Sequence, residues 1–229
     1  MKILYLIPAR KGSKGLPGKN TKIIGGKPLI SFSIDFALEN MSHADEICIS
    51  TNDENVIKIA ESKGISIPFI RPEELANDTA STYDVMIHAI NYYKNINKTF
   101  DAILLLQPTS PIRRKEDLVQ LIEEFDSTID MVVSVKISKE NPYFSLYEEN
   151  EDQLLKKCKI GNYESRQVSP KVYAFNGSMY LMNIESLMRS KISDFEKIKK
   201  IEMPEERSID IDTPLDWILA EYYLRNENS

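Results

Sequence analysis

Short apolar runs alternate with stretches of helical periodicity along most of this chain, and this alternation constrains its fold more than any other feature. The most continuous run is 101–106 (DAILLL), which is typical of a central strand covered on both faces. The pattern predicts an α/β fold with a mainly parallel, Rossmann-like sheet and helices on both faces. We expect strands at 3–7, 46–50, 65–70, 101–106, 131–135, 179–182 and 198–201, and helices at 28–39, 53–64, 82–93, 115–125 and 214–224.

The register of the pattern weakens over residues 136–172, which are polar and carry an acidic stretch at 148–152. Either an excursion from the sheet or a dimerisation flap would produce this, and the pattern alone leaves both open. With 229 residues the chain can bury one large core, so we expect a single domain over 1–229 that includes this segment.

Composition narrows the class of protein. Two cysteines and two histidines give neither a disulfide framework nor a zinc spacing, and no apolar run approaches the roughly 20 residues of a membrane span. We therefore expect a soluble, cytoplasmic protein without a membrane partner. The net charge is −6, yet seven Lys or Arg residues precede the first acidic residue, Asp35. Such a local cationic block favours a small anion over a nucleic acid as the ligand.

The segment from Pro8 to Asn20 follows the first predicted strand, where ligands bind in open α/β sheets. Its glycines lie three apart, at 12, 15 and 18, so it matches neither G-x-G-x-x-G nor the Walker pattern. Glycines let the backbone approach an anion closely, and three cationic side chains can neutralise it: Arg10, Lys14 and Lys19. The loop is predicted to hold a triphosphate; a flexible turn with incidental lysines is the alternative.

Asp210 and Asp212 flank Ile211, so in an extended segment both carboxylates project to one face. A carboxylate pair without His or Cys suits Mg²⁺, which prefers oxygen ligands and keeps positions for substrate phosphates. The alternative for Asp212 is an N-cap of the last helix, and both roles are compatible.

Several polar residues allow both a binding and a structural interpretation. Gln107 ends the central strand, where its amide suits a sugar hydroxyl or carboxylate, or else belongs to a strand-ending turn. Arg113 and Arg166 suit a carboxylate or phosphate, with a surface salt bridge as the alternative for Arg113. Tyr180 alternates with apolar neighbours, which alone is more typical of a half-buried strand residue. His88 lies on the apolar side of a predicted helix and is expected in the core.

The ordered set of motifs resembles the acylneuraminate cytidylyltransferases, the CMP-sialic acid synthetases, over nearly the whole chain. The phosphate-loop segment leads, and the motifs that follow it keep the family's order and spacing. These motifs are Ile7–Asn20, Gly26–Ile30, Arg71–Ala76, Asp78–Thr82, Gln107–Pro111 with Arg113, Arg166-Gln167, Asn176–Tyr180 and Asp210–Pro214.

The resemblance implies a nucleotide-diphospho-sugar transferase type of fold and an enzyme that couples CTP to the anomeric hydroxyl of a 2-keto nonulosonic acid. Mg²⁺ as cofactor, pyrophosphate as product and a homodimer with 136–172 as its dimerisation excursion are implied as well. The nucleotide-binding residues would be Ala9, Arg10, Gly12, Ser13, Lys14, Lys19, Asn20, Arg71, Ala80, Ser81 and Thr82. The sugar-binding residues would be Gln107, Ser110, Arg113, Arg166, Asn176, Gly177 and Tyr180.

Among these residues the catalytic roles are expected at Arg10, Lys19 and Asp212, and the metal ligands at Asp210 and Asp212. Arg10 and Lys19 would stabilise the triphosphate, and Asp212 is the candidate acceptor of the hydroxyl proton. An N-cap role is the alternative for Ser81.

Three rival functions are weighed against this one. Sugar-1-phosphate nucleotidyltransferases carry a Gly-x-Gly-Thr/Ser-Arg loop, which 9–13 does not match. The 3-deoxy-manno-octulosonate branch carries Ser-x-Arg-x-Pro, where this chain has Gly15 in place of the arginine. A non-catalytic nucleotide-binding module would not need the retained pair of Asp210 and Asp212. Within the main hypothesis the sequence does not distinguish N-acetylneuraminate, its deaminated form, legionaminate and pseudaminate.

Overall fold

A six-stranded sheet with helices on both faces forms the centre of the protein in a computed structural model that describes residues 1–12 and 15–226. In chain order the strands are β1 Ile3–Ala9, β2 Ile23–Ile24, β3 Lys27–Pro28, β4 Glu46–Thr51, β5 Ala102–Leu106, β6 Met131–Ile137, β7 Tyr147–Glu149, β8 Leu155–Lys157, β9 Tyr173–Asn183 and β10 Ile198–Glu202. The α-helices are α1 Leu29–Asn40, α2 Glu54–Ser62, α3 Thr82–Asn95, α4 Lys115–Glu123, α5 Ile184–Arg189 and α6 Pro214–Asn226.

The main sheet has the strand order β10-β6-β9-β5-β1-β4. Each neighbouring pair is parallel except those of β9, which runs antiparallel to both β5 and β6. This confirms the predicted mainly parallel α/β fold. All five residues of β5 are buried, as the continuous apolar run predicts for a strand covered on both faces.

Alternate residues of the central strands feed two separate apolar cores, one on each face of the sheet. Ile3, Tyr5 and Ile7 belong to one core, whereas Leu4 and Leu6 belong to the other. This follows from the two-residue period of a strand, and it shows why these runs carry no polar alternation. Because β1 pairs in parallel with both β4 and β5, the carboxyl ends of these three strands meet at one edge of the sheet.

Helix boundaries agree with the cap signals in the sequence. The Asp53 side chain accepts a hydrogen bond from the Asn55 amide at the start of α2, and Gly64 follows the helix end with φ +78°. The Ser81 side chain accepts from the Asp84 amide at the start of α3. None of the helices in the described ranges is long and apolar enough to cross a membrane.

Several details differ from the predicted elements, and the short elements β2, β3 and α5 were not predicted. The strand expected at 65–70 is wrong: only Ile70 forms a bridge, to Thr51, since Pro68 within the segment cannot donate to a ladder. β9 begins at Tyr173 instead of Met179, because its polar residues find buried partners inside the protein. Within 136–172, β6 continues to Ile137, and β7 and β8 then form a separate antiparallel hairpin.

Candidate functional site

A cleft of about 380 Å³ opens at the carboxyl ends of β1 and β5, where ligands bind in open α/β sheets. It brings together residues from the amino-terminal loop, the segment before α3, the end of β5 and the segment before α6. The cleft is lined by Pro8, Arg10, Gly15, Lys19, Asn20, Arg71, Leu75, Asn77, Asp78, Ala80, Thr82, Val85, Gln107, Pro108, Thr109 and Asp212.

The described residues of the predicted phosphate loop border this cleft. Gly12 and Gly18 have φ of +89° and +65°, a backbone conformation that glycine adopts without strain. Ala9 is fully packed in the core at the end of β1, and Asn20 is buried at the base of the loop. Ser13 and Lys14 lie outside the described residues. Arg10, Lys19 and Asn20 line the cleft, so the loop places cations and an amide where a triphosphate would enter.

Lys19 joins the loop to the segment before α6. Its ammonium lies 2.6 Å from the Ile211 carbonyl oxygen and 3.0 Å from Oδ1 of Asp212, and its side chain is 9% exposed. The Ile211 amide in turn donates to the Thr109 carbonyl at 2.8 Å. These contacts tie residues 192 or 193 positions apart in the chain into one site, and they fix the backbone that carries both aspartates.

The two aspartates differ in their surroundings. Burial raises the pKa of Asp210, a hydrogen bond from Thr109 opposes this, and the negative charge of Asp212 raises it further. Oδ1 of Asp210 is buried and has no hydrogen-bond partner within the described part of the chain. The Asp212 side chain is 72% exposed and faces the cleft. The Asp210 carboxylate thus lies in a partly buried cradle, and the Asp212 carboxylate is exposed beside a lysine.

The N-cap alternative for Asp212 can be compared with the observed contacts. The hydroxyl of Thr213 accepts a hydrogen bond from the Asp216 amide, and Oδ2 of Asp216 accepts from the amide and hydroxyl of Thr213. Thr213 and Asp216 therefore cap the start of α6 reciprocally. This leaves the Asp212 carboxylate for Lys19 and the cleft.

Two arginines and one aspartate line the other end of the cleft: Arg10, Arg71 and Asp78. A guanidinium nitrogen of Arg10 lies 2.8 Å from Oδ1 of Asp78. Arg71 is buried and donates to the Ser50 hydroxyl at 3.0 Å and to the Ser50 carbonyl at 2.6 Å. Burial and then the positive charge of Arg10 lower the pKa of Arg71 to about 10. Arg71 therefore stays cationic at neutral pH beside a second cation.

The predicted base segment also lies at this end. Ala80 and Thr82 line the cleft together with Leu75 and Val85, which supply an apolar wall. Ser81 acts as the N-cap of α3, in line with its structural alternative. His88 stacks edge-to-face on Phe69 at 4.5 Å between ring centroids, as expected for a residue of the packed face of α3.

The residues predicted to bind the sugar fall into separate groups. Gln107 lines the cleft, and Arg166 is exposed in the 136–172 segment. A hydrogen bond from Lys139 lowers the pKa of Glu205, and the charge of Arg166 adds to this. Ser110 and Gly177 border the Asp210 cradle: a Cβ on Gly177 would lie 2.8 Å from Oδ2 of Asp210 and 3.0 Å from the Ser110 hydroxyl.

Tyr180, Arg113 and Asn176 make contacts within the protein. The buried Asn176 side chain accepts a hydrogen bond from the Ser134 hydroxyl and donates one to the Ser208 hydroxyl. Burial raises the pKa of the half-buried Tyr180, and the nearby negative charge of Asp210 raises it further. Arg113 donates to the carbonyls of Gln107 and Ser178 and to the Ser33 hydroxyl, so it ties the end of β5 to the middle of β9. Sugar binding by these residues stays a prediction.

Thr109 and Asp78 line the cleft and were not singled out from the sequence, although both lie inside recognised motifs. Thr109 supplies a hydrogen bond to Asp210 and a carbonyl to Ile211, and Asp78 pairs with Arg10. Their motifs predicted where the segments lie. The role of each side chain depends on contacts across the cleft, for which the sequence gives no signal.

Comparison with known proteins agrees with this geometry. The family model described as Cytidylyltransferase matches residues 4–226. The chain belongs to the cytidylyltransferase family. As a member it is a nucleotidyltransferase enzyme that uses CTP, and the resemblance inferred from the sequence motifs is confirmed.

Two relatives and one solved structure are similar to this chain over nearly its whole length. It is 36% identical to the "CMP-N,N'-diacetyllegionaminic acid synthase" of Legionella pneumophila over 96% of this chain and 95% of that protein. It is 34% identical to an "N-acylneuraminate cytidylyltransferase" of Streptococcus agalactiae, over 95% of this chain and 52% of that protein. The solved CMP:2-keto-3-deoxy-manno-octonic acid synthetase complexed with CTP shares the fold, with a TM-score of 0.73, 19% identity, and coverage of 99% of this chain and 100% of that one.

Proposed function

We propose that this cytidylyltransferase transfers CMP from CTP to the anomeric hydroxyl of a 2-keto nonulosonic acid and releases pyrophosphate. The observation that carries the proposal is the junction at Lys19, which brings the cationic loop and the Asp210–Asp212 segment to one cleft. The acceptor class is supported by relatives at 36% and 34% identity that are named for a legionaminic acid and for acylneuraminate. The octulosonate and sugar-1-phosphate alternatives are not favoured.

Asp212, which lines the cleft, and Asp210, which accepts a hydrogen bond from the cleft residue Thr109, fit Mg²⁺ as the cofactor. Oδ1 of Asp210 is buried without a hydrogen-bond partner in the described ranges, and an anion in that position is stabilised by a cation. No group of three or more His, Cys, Asp or Glu in those ranges could hold a metal by itself. This suits Mg²⁺, which in such enzymes takes one or two carboxylates and completes its shell with water and substrate phosphates. Asp210 and Asp212 would hold the ion, which would neutralise charge on the phosphates.

The protein's own part in the reaction is positioning and charge neutralisation. Arg10 and Lys19 would bind the triphosphate and stabilise the negative charge of the departing pyrophosphate. The anomeric hydroxyl oxygen attacks the α-phosphorus, and the bond from that phosphorus to the bridging oxygen breaks. The hydroxyl proton passes to Asp212, whose carboxylate is exposed to the cleft and held at one oxygen by Lys19. Ala80, Thr82 and Arg71 would surround the cytosine, and Gln107 would contact the sugar.

The deciding experiment measures pyrophosphate release with MgCl₂ for each of the four nucleoside triphosphates against a panel of acceptors. The panel contains N-acetylneuraminate, its deaminated form, legionaminate, pseudaminate, 3-deoxy-manno-octulosonate and a sugar 1-phosphate. We expect turnover with CTP and a nonulosonic acid. A preference for UTP or for a sugar 1-phosphate would refute the proposal, and CTP binding without any turnover would indicate a non-catalytic module.

The role of Asp212 is tested separately with Asp212→Asn. If Asp212 accepts the proton, this variant loses the transfer reaction while CTP binding is retained. A merely partial loss of activity contradicts that assignment. Asp152→Asn is a matched control, because Asp152 is an exposed carboxylate in the turn between β7 and β8.

A homodimer formed through the 136–172 segment is part of the proposal. This segment exposes apolar side chains that a monomer would leave in water: Leu155 is 70% exposed and Ile160 is 95% exposed. We expect light scattering to give twice the 26.3 kDa chain mass, and Leu155→Lys with Ile160→Lys to give the monomer. An unchanged mass in the double variant would place the interface elsewhere. The cytoplasmic location and the single-domain boundary at 1–229 stay predictions.

A further inference from the structure

Asp78 forms an ion pair with Arg10, the cation that the proposed function assigns to the triphosphate. Its carboxylate oxygen lies 2.8 Å from a guanidinium nitrogen of Arg10, and the two residues come from different walls of the cleft. Arg10 follows β1 at the start of the phosphate loop, whereas Asp78 lies between the 3₁₀ turn Glu73–Leu75 and α3. Neither side chain is buried: the Arg10 side chain is 32% exposed and that of Asp78 45%. The pair is therefore accessible to an incoming anion.

The charges around this pair give the carboxylate a physical function. Arg10 and Arg71 both line the cleft, and after burial the positive charge of Arg10 lowers the pKa of Arg71. An anion between the two walls relieves that repulsion, and Asp78 supplies one when no nucleotide is present. A triphosphate brings several negative charges to the same place, so it would both replace and repel the carboxylate.

The local backbone links a movement of Asp78 to the base end of the cleft. Oδ1 of the Asn77 side chain accepts hydrogen bonds from the Thr79 amide, the Thr79 hydroxyl and the Ala80 amide, all at 2.8 or 2.9 Å. The Asn77 side-chain amide donates to the Glu74 carbonyl at 2.9 Å. Residues 77–80 thus form one tight turn, and a displacement of Asp78 would carry Ala80, which lines the cleft.

We propose that Asp78 is an affinity-determining residue that competes with the phosphates of CTP and of pyrophosphate for Arg10. This inference rests on the proposed function, since it assumes that Arg10 binds the triphosphate. Entry of CTP exchanges the Arg10–Asp78 ion pair for an Arg10–phosphate pair. After transfer, Asp78 pairs with Arg10 again, which weakens the hold on pyrophosphate and speeds its release. Asp78 therefore lowers the affinity for CTP and speeds turnover.

The test compares Asp78→Asn with the wild type in calorimetric titrations with CTP, with cytidine and with sodium pyrophosphate. Because exposed ion pairs contribute little, we expect Asp78→Asn to bind CTP and pyrophosphate about two- to fivefold more tightly. Cytidine carries no phosphate and should bind equally to both proteins. Glu73→Gln is the matched control, since it removes the same charge from an exposed position on the same segment and should leave the three affinities unchanged.

A double-mutant cycle shows whether the effect passes through Arg10. In an Arg10→Gln background, Asp78→Asn should no longer tighten CTP binding. An equal gain in that background, an equal gain for cytidine, or weaker CTP binding by Asp78→Asn in MgCl₂ would each overturn the proposal; the last would indicate a metal ligand. If the wild type binds CTP and only the Asp78 effect is absent, the proposed function stands. If the wild type does not bind CTP, both fail.

Discussion

The backbone of Gly15 lies against the backbone of Asp212, so closely that a Cβ on Gly15 would be 2.2 Å from the Asp212 carbonyl oxygen. The phosphate loop and the carboxylate segment therefore meet through main-chain atoms as well as through Lys19. This close approach leaves no room for a side chain at position 15. Real Cβ atoms do not approach a carbonyl oxygen this closely, so one of the two segments must move if a side chain is introduced.

We expect Gly15→Ala to lower kcat/KM for CTP by about 10²-fold, because a shift of about 1 Å in a reacting group has an effect of this size. Steady-state pyrophosphate release measures it. Gly64→Ala is the control: Gly64 also has no Cβ, but lies after α2 with open space around it and φ +78°. That variant should lose stability by about 1 kcal/mol and retain its activity. Full activity of Gly15→Ala would show that the two segments separate freely.

Asp210→Asn should stabilise the fold and slow the transfer reaction. Burial disfavours the charged carboxylate, which raises the pKa of Asp210, and the amide avoids that cost. We expect Tm to rise by about 2–4 °C, as a gain of about 1 kcal/mol gives in a chain of this size, while kcat falls by at least about 10²-fold. Calorimetry and a pyrophosphate assay measure the two effects. Asp212→Asn, at an exposed position, should lose activity without the rise in Tm; a fall in Tm for Asp210→Asn contradicts the argument.

Asn176→Ala should destabilise the protein rather than weaken acceptor binding alone. Asn176 is 2% exposed; its side-chain oxygen accepts from the Ser134 hydroxyl at 2.7 Å, and its amide donates to the Ser208 hydroxyl at 3.0 Å. Removal of the Asn176 amide group leaves both hydroxyls without this partner. We expect the free energy of unfolding, measured with urea, to fall by about 2–3 kcal/mol. An unchanged unfolding midpoint together with a raised KM for the sugar would instead support the sugar-binding role predicted from the motif.

Asp35 gives the stability a pH dependence at the acidic end. Burial alone would raise the pKa of Asp35, but hydrogen bonds from Lys27 and Lys63 outweigh it, so the folded-state pKa lies below the ordinary 3.8. A lowered pKa stabilises the fold above pH 3.8, and this stability is lost as the pH falls through the folded-state pKa. We expect Asp35→Asn to cost about 1 kcal/mol at pH 7, since the carboxylate is partly screened by solvent.

Urea unfolding of Asp35→Asn at pH 7 and at pH 3 checks this, with the difference from the wild type smaller at pH 3. Asp152→Asn, at its exposed turn position, should match the wild type at both values. A deficit of Asp35→Asn that is the same at both values would mean that the ionised carboxylate does not contribute.

The amino-acid sequence was sufficient for most of the fold. Continuous aliphatic runs predicted β1, β4 and β5, because a strand buried on both faces requires apolar residues at every position. Cap residues at Asp53 and Ser81 placed the starts of α2 and α3. The strand expected at 65–70 did not form, and the first half of β9 was missed. Its polar residues are buried, and a hydrogen bond such as that from Asn176 to Ser208 joins residues 32 positions apart, which no local pattern can reveal.

For the site, the sequence determined the residue types and their motifs: a glycine-rich cationic loop, a base segment and a pair of aspartates. Only the tertiary structure decided what these side chains do. In the tertiary structure Lys19 is buried against Ile211 and Asp212, Arg113 donates to the end of β5 and the middle of β9, and Arg10 pairs with Asp78. The physical reason is that local propensity and apolar periodicity act over a few residues. Burial and ion pairing instead depend on which distant segments the sheet brings to the same edge.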